Sequence, residues 1–154
     1  MPLISERYVF VYGTLRHGEQ RDISKLSPAP RLVGQGYVAG KLYDLGAYPG
    51  VVLGQADPLV YVYGEVYAID AEIERQLDYI EEVWPQKSGE YVKREVTVKM
   101  SQCGVRVGDE VMGLLYEVAN ERAIGKTLIA GGDWVIHRKK SLSNLKKPGV
   151  NLPS

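Results

Sequence analysis

"VYVYGEVYAIDAEIERQLDYIEEV", residues 60–83, changes its period halfway along. From Val60 to Ile69 apolar side chains alternate with others, and Val, Tyr and Ile dominate, which is the pattern of a strand with one face against a core. From Ala71 onward the apolar residues recur every three or four positions. Ile73, Leu77, Ile80 and Trp84 fall within a sector of roughly 60° when successive residues turn by about 100°. Asp70 opens this helix and Pro85 closes it, because the residue before a proline avoids helical geometry. A strand that runs directly into an amphipathic helix needs other strands to pair with, and the rest of the chain must supply them.

Residues 7–12 (RYVFVY), 91–98 (YVKREVTV) and 110–118 (EVMGLLYEV) alternate in the same way and read as strands. Residues 32–43 read as a further strand bent at Gly34, Gly36 and Gly40, with Val51 to Leu53 a short one. Arg21 to Leu26 adds a short helical turn. The seventeen glycines read as bends and bulges of a strongly curved sheet. These elements predict an α+β domain whose mostly antiparallel sheet is barrel-like and carries a few helices.

A chain of 154 residues makes one domain, large enough to bury about 70% of its unfolded surface without staples. The apolar fraction is 45%, and no run approaches the ~20 apolar residues of a membrane helix. The N-terminus has no basic stretch followed by an apolar segment and cleavage site, so the sequence reads as that of a soluble, unexported, cytoplasmic protein. Cys103 is the single cysteine, which excludes an internal disulfide and fits a reducing compartment; His17 and His137 are too few and too scattered for a metal centre. The zero formal charge hides an uneven distribution. Residues 137–154 carry Arg138, Lys139, Lys140, Lys146 and Lys147 with no acid, so the body is acidic. That segment is broken by Ser, Asn, Pro and Gly and lacks aromatics, and it is expected to be a solvated, flexible tail rather than a nucleic-acid surface.

Two features carry chemistry. Tyr12-Gly13-Thr14-Leu15 leaves the first strand as a sharp turn, in which Gly13 is expected to take a positive φ. Successive N–H groups of such a turn converge on an anion such as a carboxylate. Arg16 and His17 add positive charge beside it. The bland alternative is a glycine that only turns the chain. A phosphate loop is a poor fit: "GTLRHG" at 13–18 is followed by Glu19-Gln20 where Lys and Ser or Thr belong, and Gly125-Lys126-Thr127 has Asn120 in place of the first glycine. The second feature is Glu81, which lies roughly 70° from the centre of the apolar stripe, at its border, while Glu82 lies nearly opposite and faces water. A glutamate partly withdrawn from water gives up and regains a proton near neutrality and suits acid/base work; alternatively, Glu81 bends out to solvent.

The combination is recognisable. "VFVYGTLRHG" at 9–18, "GKLYDLGAYPGVV" at 40–52, "YGEVYAI" at 63–69, "LDYIEEV" at 77–83, "YVKREVTV" at 91–98 and "GGDW" at 131–134, in this order, resemble the gamma-glutamylcyclotransferase-like family over residues 8 to about 136. The resemblance implies a domain over residues 1–136 whose barrel-like sheet encloses one cavity, with the basic tail outside it. It implies a turn at Tyr12, Gly13, Thr14 and Leu15 that holds a substrate α-carboxylate through backbone amides, and Glu81 as the acid/base. It implies Tyr91 and Tyr116 as lining residues, while Trp134 closes the core. The implied reaction is attack of a γ-glutamyl compound's α-amine on its own γ-carbonyl, giving 5-oxoproline and a free amine or amino acid, with no metal or cofactor. Its partner is that small-molecule substrate, with neither membrane nor nucleic acid involved. Two positions depart from the pattern: Glu82 stands where glycine is usual, and Lys93 stands for the arginine of a Tyr-x-Arg pattern, with Arg94 next to it. Other readings are a non-catalytic module of the same fold that binds a small carboxylate, and an interaction protein working through its tail. On the enzyme reading, removal of residues 138–154 leaves activity intact.

Overall fold

The computed structural model describes residues 7–54, 60–81, 90–102 and 109–146. In chain order the elements are β1 (Arg7–Val11), a 3-10 turn (Ile23–Lys25), β2 (Arg31–Asp44), β3 (Pro49–Leu53), β4 (Tyr61–Ile69), α1 (Ala71–Ile80), β5 (Tyr91–Gln102), β6 (Glu110–Val118), α2 (Asn120–Ala123), β7 (Thr127–Leu128) and α3 (Trp134–Lys146). Strands β2, β4, β1, β6 and β5 pair in that order, and β5 pairs back onto β2, which closes a five-strand barrel. Every pairing is antiparallel except β1 with β6, so the α+β barrel read from the sequence is present.

The long strand β2 makes closure possible, and its glycines mark where it changes partner. Its pairing with β4 shifts register between Leu32 and Gly34, and its pairing with β5 shifts between Gln35 and Gly36. At Gly36 a Cβ would sit 2.7 Å from the Lys99 carbonyl oxygen, so only glycine lets β5 approach this closely. From Gly40 onward β2 pairs with β3 instead, and β7 adds at Tyr43 and Asp44.

Alternation along the strands divides the core in two. Phe10, Val38, Leu42, Val62, Val66, Val98 and Leu115 fill the barrel interior together with Trp134. Val9, Val11, Tyr67, Ile69 and Leu114 point the other way and are covered by Ile73 and Leu77 of α1. Ile73 and Leu77 are fully buried, and each such side chain is worth about 1.5–3 kcal/mol. The α1 start is capped as its sequence requires, with the Asp70 carboxylate accepting from the Ile73 N–H at 2.9 Å.

The helix is shorter than its sequence suggests. It ends at Ile80 with Glu81 as the C-cap, and Glu82, Trp84 and Pro85 lie outside the described residues. Residues 137–146, expected as part of a flexible tail, continue α3 instead. Its first turns dock on the body: His137 Nε2 lies 2.8 Å from Asp44 Oδ2, and Arg138 grips Glu19 with two hydrogen bonds of 2.7 Å. Charge alone hid this, because Glu19 and Asp44 are far away in sequence and supply the acid that the segment lacks. Among the described residues no helix is long and apolar enough to cross a membrane.

Candidate active site

The turn after β1 is held by its carbonyls. Gly13 O accepts from the Arg16 N–H at 3.0 Å, Thr14 O from Arg21 at 2.8 Å and Leu15 O from Ile23 at 2.9 Å. The amides of Gly13, Thr14 and Leu15 meet no acceptor among the described residues. A turn with its acceptors satisfied and consecutive donors left over has the hydrogen-bonding capacity to cradle an anion. The segment beyond it is a run of turns rather than a helix. It is braced by Asp22, which accepts from the Gly18 N–H at 2.7 Å and from the Ser24 N–H and hydroxyl at 2.9 and 2.7 Å. Burial opposes ionisation of Asp22, but these bonds more than offset it and hold the carboxyl below its ordinary value.

Gly13 is required for a different reason from the one its sequence context suggests. Its φ is not in the left-handed region. A Cβ there would stand 2.6 Å from Pro49 Cγ and 2.8 Å from Pro49 Cδ, so the glycine is there to admit the proline. Pro49 in turn offers its carbonyl to the Tyr91 hydroxyl at 3.1 Å. The segments "YGTL" and "GAYPG" are thus two halves of one contact.

Beside this contact lies a cavity of about 140 Å³, whose lining includes Tyr12, Gly13, Thr14, Leu15, Glu81, Tyr91 and Tyr116. A cavity near 150 Å³ accepts a ligand of about benzene size. All seven site residues expected from the sequence therefore meet in one place. Glu81 is half-buried at the C-terminus of α1. The cavity sits at the end of β1, at the barrel rim; the barrel's own interior is filled by side chains.

The tyrosines have fixed polarity. Tyr116 Oη donates to Asp78 Oδ1 at 2.6 Å, Tyr91 Oη to the Pro49 carbonyl, and Tyr48 Oη to Glu90 Oε2 at 2.6 Å. Each phenol has one proton and has given it to the protein, so it offers only lone pairs to a ligand. Burial foremost, with nearby negative charge, pushes the Tyr91 and Tyr116 hydroxyls well above their ordinary 10.0, so they stay protonated. Tyr12 is likewise raised, again chiefly by burial; its hydroxyl donates to the Tyr116 carbonyl at 2.7 Å. The lining of the cavity therefore combines backbone donors with phenol acceptors and a carboxylate.

Behind Tyr116 a charged chain fixes α1 to the barrel. Lys93 Nζ donates to Asp78 Oδ2 at 2.9 Å and to Glu74 Oε2 at 2.7 Å, and Arg7 Nε reaches Glu74 Oε1 at 3.1 Å. Burial alone would lower the Lys93 pKa, but the two carboxylates outweigh it and raise it. Lys93 thus serves the helix and Tyr116, whereas Arg94 points to the opposite face and pairs with Glu117.

Several expectations are corrected here. Arg16 turns away from the cradle and pairs with Glu65 and Asp133 at 3.2 and 3.0 Å, and the His17 side chain is exposed beside Asp22. Tyr43, Tyr63 and Tyr67, strand tyrosines that the sequence also offers as pocket lining, do not line it, and Tyr67 donates to Glu65. Sequence reasoning did not single out Arg21, Tyr48, Pro49, Ile80 and Glu90, which also line it. Tyr48 and Pro49 were within reach as part of a quoted motif, and Ile80 as the last residue of the apolar stripe. Arg21 and Glu90 had no local signal.

A small α+β barrel whose rim cavity is lined by a glycine turn and a helix-end carboxylate defines a class, and comparison with known proteins places the chain within it. It belongs to the family described as "Gamma-glutamyl cyclotransferase, AIG2-like", whose model matches residues 9–136. The Escherichia coli K12 protein YtfP, named a gamma-glutamylcyclotransferase family protein, is 30% identical over 129 residues, covering 82% of this chain and 95% of YtfP. The crystal structure of YkqA from Bacillus subtilis superposes with a TM-score of 0.67 at 27% identity, covering 90% of this chain and 43% of that one. A Vibrio cholerae relative is 45% identical over 80 residues, 51% of this chain; that match and the YkqA sequence match span 64% and 43% of the relatives' lengths.

Proposed function

We propose that this chain is a gamma-glutamylcyclotransferase that closes the glutamyl group of a γ-glutamyl amide into 5-oxoproline, with Glu81 as general acid/base. The observation that carries the reading is that Glu81 lines one cavity with Gly13, Thr14 and Leu15, whose amides meet no acceptor among the described residues. The amides hold the α-carboxylate. Tyr91 and Tyr116, which can only accept, receive the N–H groups of the α-amine. The α-nitrogen attacks the γ-carbonyl carbon, its N–C bond forms, and the bond to the leaving nitrogen breaks. Glu81 takes the proton that the attacking nitrogen loses and gives it to the leaving nitrogen, so the amine departs neutral and the enzyme is restored. Holding amine and carbonyl together contributes on the order of 7–11 kcal/mol and proton transfer about 10²–10⁴-fold.

Release of 5-oxoproline from a panel of γ-glutamyl compounds tests the activity. Glu81→Gln keeps the shape but cannot relay the proton, so it should retain ligand affinity and lose most turnover. Full activity in Glu81→Gln removes the role assigned to this carboxylate. Affinity without turnover in the parent protein favours a carboxylate-binding module.

A further inference from the structure

Two ion pairs join the turn segment after β1 to the start of α3, and their charges run in opposite order. Arg16 of the segment donates to Asp133 Oδ1 at 3.0 Å, while Glu19 accepts from Arg138 Nε and Nη2 at 2.7 Å each. Asp133 also receives the Ile136 N–H at 3.1 Å, so the carboxylate that opens α3 is the one that holds Arg16. A third anchor comes from β4, where Glu65 accepts from Arg16 Nε at 3.2 Å and from the His17 N–H at 2.9 Å. The side chains of Arg16, Glu65 and Glu19 are only 11%, 10% and 4% exposed, and none of these charged groups lines the cavity. A buried ion pair adds little net stability, because lost hydration offsets the attraction. Breaking it from one side, however, strands a buried charge that must move to reach water.

The residues held in this way are linked to the cradle by short steps of backbone. The Arg16 N–H is bonded to Gly13 O and the Glu19 N–H to Arg16 O, each at 3.0 Å. The Arg21 and Ile23 N–H groups close on Thr14 O and Leu15 O at 2.8 and 2.9 Å, so residues 13–23 form one hydrogen-bonded unit. A movement of Glu19 toward water is therefore passed on to the cradle amides. We propose that α3 positions the cradle: Asp133 and Arg138 are positioning residues that hold Arg16 and Glu19, and through them set the Gly13, Thr14 and Leu15 amides for a ligand carboxylate. The inference rests on the proposed cyclotransfer and gives α3, which does not line the cavity, a part in substrate binding. On it, removal of residues 138–154 weakens that binding, against the expectation from the sequence that activity is untouched.

The test uses the full chain and whichever γ-glutamyl compound of the panel it turns over fastest. The cradle grips the carboxylate alike in the ground and transition states, so Arg138→Gln should raise KM about tenfold and leave kcat within about twofold of the parent. Arg138→Lys keeps the charge but loses the two-point grip, and should raise KM about threefold. Adding Glu19→Gln to Arg138→Gln removes the stranded carboxylate and should bring KM back toward the parent value. Lys139→Gln, an equal loss of charge at the exposed neighbouring position, should leave KM unchanged. Circular dichroism at the assay temperature checks that each variant is folded, and if Arg138→Gln is not, Arg138→Lys decides. A parent-like KM in the deciding variant, an equal rise in Lys139→Gln, or a double variant worse than Arg138→Gln overturns the proposal. If the parent releases no 5-oxoproline, the cyclotransfer reading fails instead and hydrogen exchange decides the role of α3. Amides of residues 14–23 should then exchange about tenfold faster in the deciding variant than in the parent, and equal rates overturn it.

Discussion

Gly13→Ala tests the contact on which the cradle is built. The added methyl would stand 2.6 Å from Pro49 Cγ and 2.8 Å from Cδ. Ordinary carbon contacts begin near 3.5 Å, so one side must yield by about 0.9 Å. Pro49 cannot swing away as a flexible side chain would, because its ring is closed and its carbonyl receives Tyr91. Overpacking of this kind costs about 1–3 kcal/mol, which for a domain of this size lowers Tm by roughly 3–9 °C. The same displacement moves the amides relative to Glu81, and misplacement on the scale of 1 Å costs about 10²-fold in rate. Thermal unfolding and 5-oxoproline release read the two effects. Pro49→Ala supplies the discriminating control, since it removes both crowded atoms. If crowding is the cause, the double variant recovers stability relative to the sum of the single changes, with a coupling of about 1–2 kcal/mol. Additive losses would refute the contact and return Gly13 to the role of a simple turn residue.

Asp22→Ala strips three donors of their acceptor and should cost about 1–3 kcal/mol at pH 7 in urea unfolding. Because the folded pKa of Asp22 is lowered, its contribution is present above the ordinary 3.8 and is lost as pH falls through the folded value; parent and variant should therefore converge in strong acid. Lys93 has the opposite sign. Its raised pKa makes its contribution complete below the ordinary 10.5 and lost as pH climbs past it, so the stability gap between the parent and Lys93→Met should narrow only at high alkaline pH. Tyr116→Phe keeps the ring and removes the acceptor, and kcat/KM should fall roughly tenfold with little change in fold by circular dichroism. Deleting residues 138–154 should lower stability by about 1–3 kcal/mol, because the Glu19 carboxylate, whose side chain is 4% exposed, loses its ion-pair partner Arg138; an unaltered Tm would show that this part of α3 is dispensable.

Much of the architecture was written locally. A strand announces itself by alternation and a helix by a recurring apolar stripe, so β1, β2, β4, β5, β6 and α1 were legible from neighbouring residues, as were the bends of β2 at Gly34, Gly36 and Gly40. The stripe of Ile73, Leu77 and Ile80 also set Glu81 at its border, since angular position on a helix follows from spacing alone. Helix α3 escaped because its apolar and charged residues show no sidedness; its place is fixed by Arg138 on Glu19 and His137 on Asp44, partners about a hundred residues away.

What the chain order could not specify is which groups face each other once β5 closes onto β2. The direction of Arg16, the crowding of Gly13 by Pro49 and the commitment of the Tyr48, Tyr91 and Tyr116 protons are properties of contacts between distant segments. The sequence by itself determined the elements and the residue types that could do chemistry, because periodicity is a relation among near neighbours. Only the tertiary structure decided that a row of amides and a helix-end carboxylate share one hollow, because side-chain direction and hydrogen-bond partners are settled by packing across the barrel.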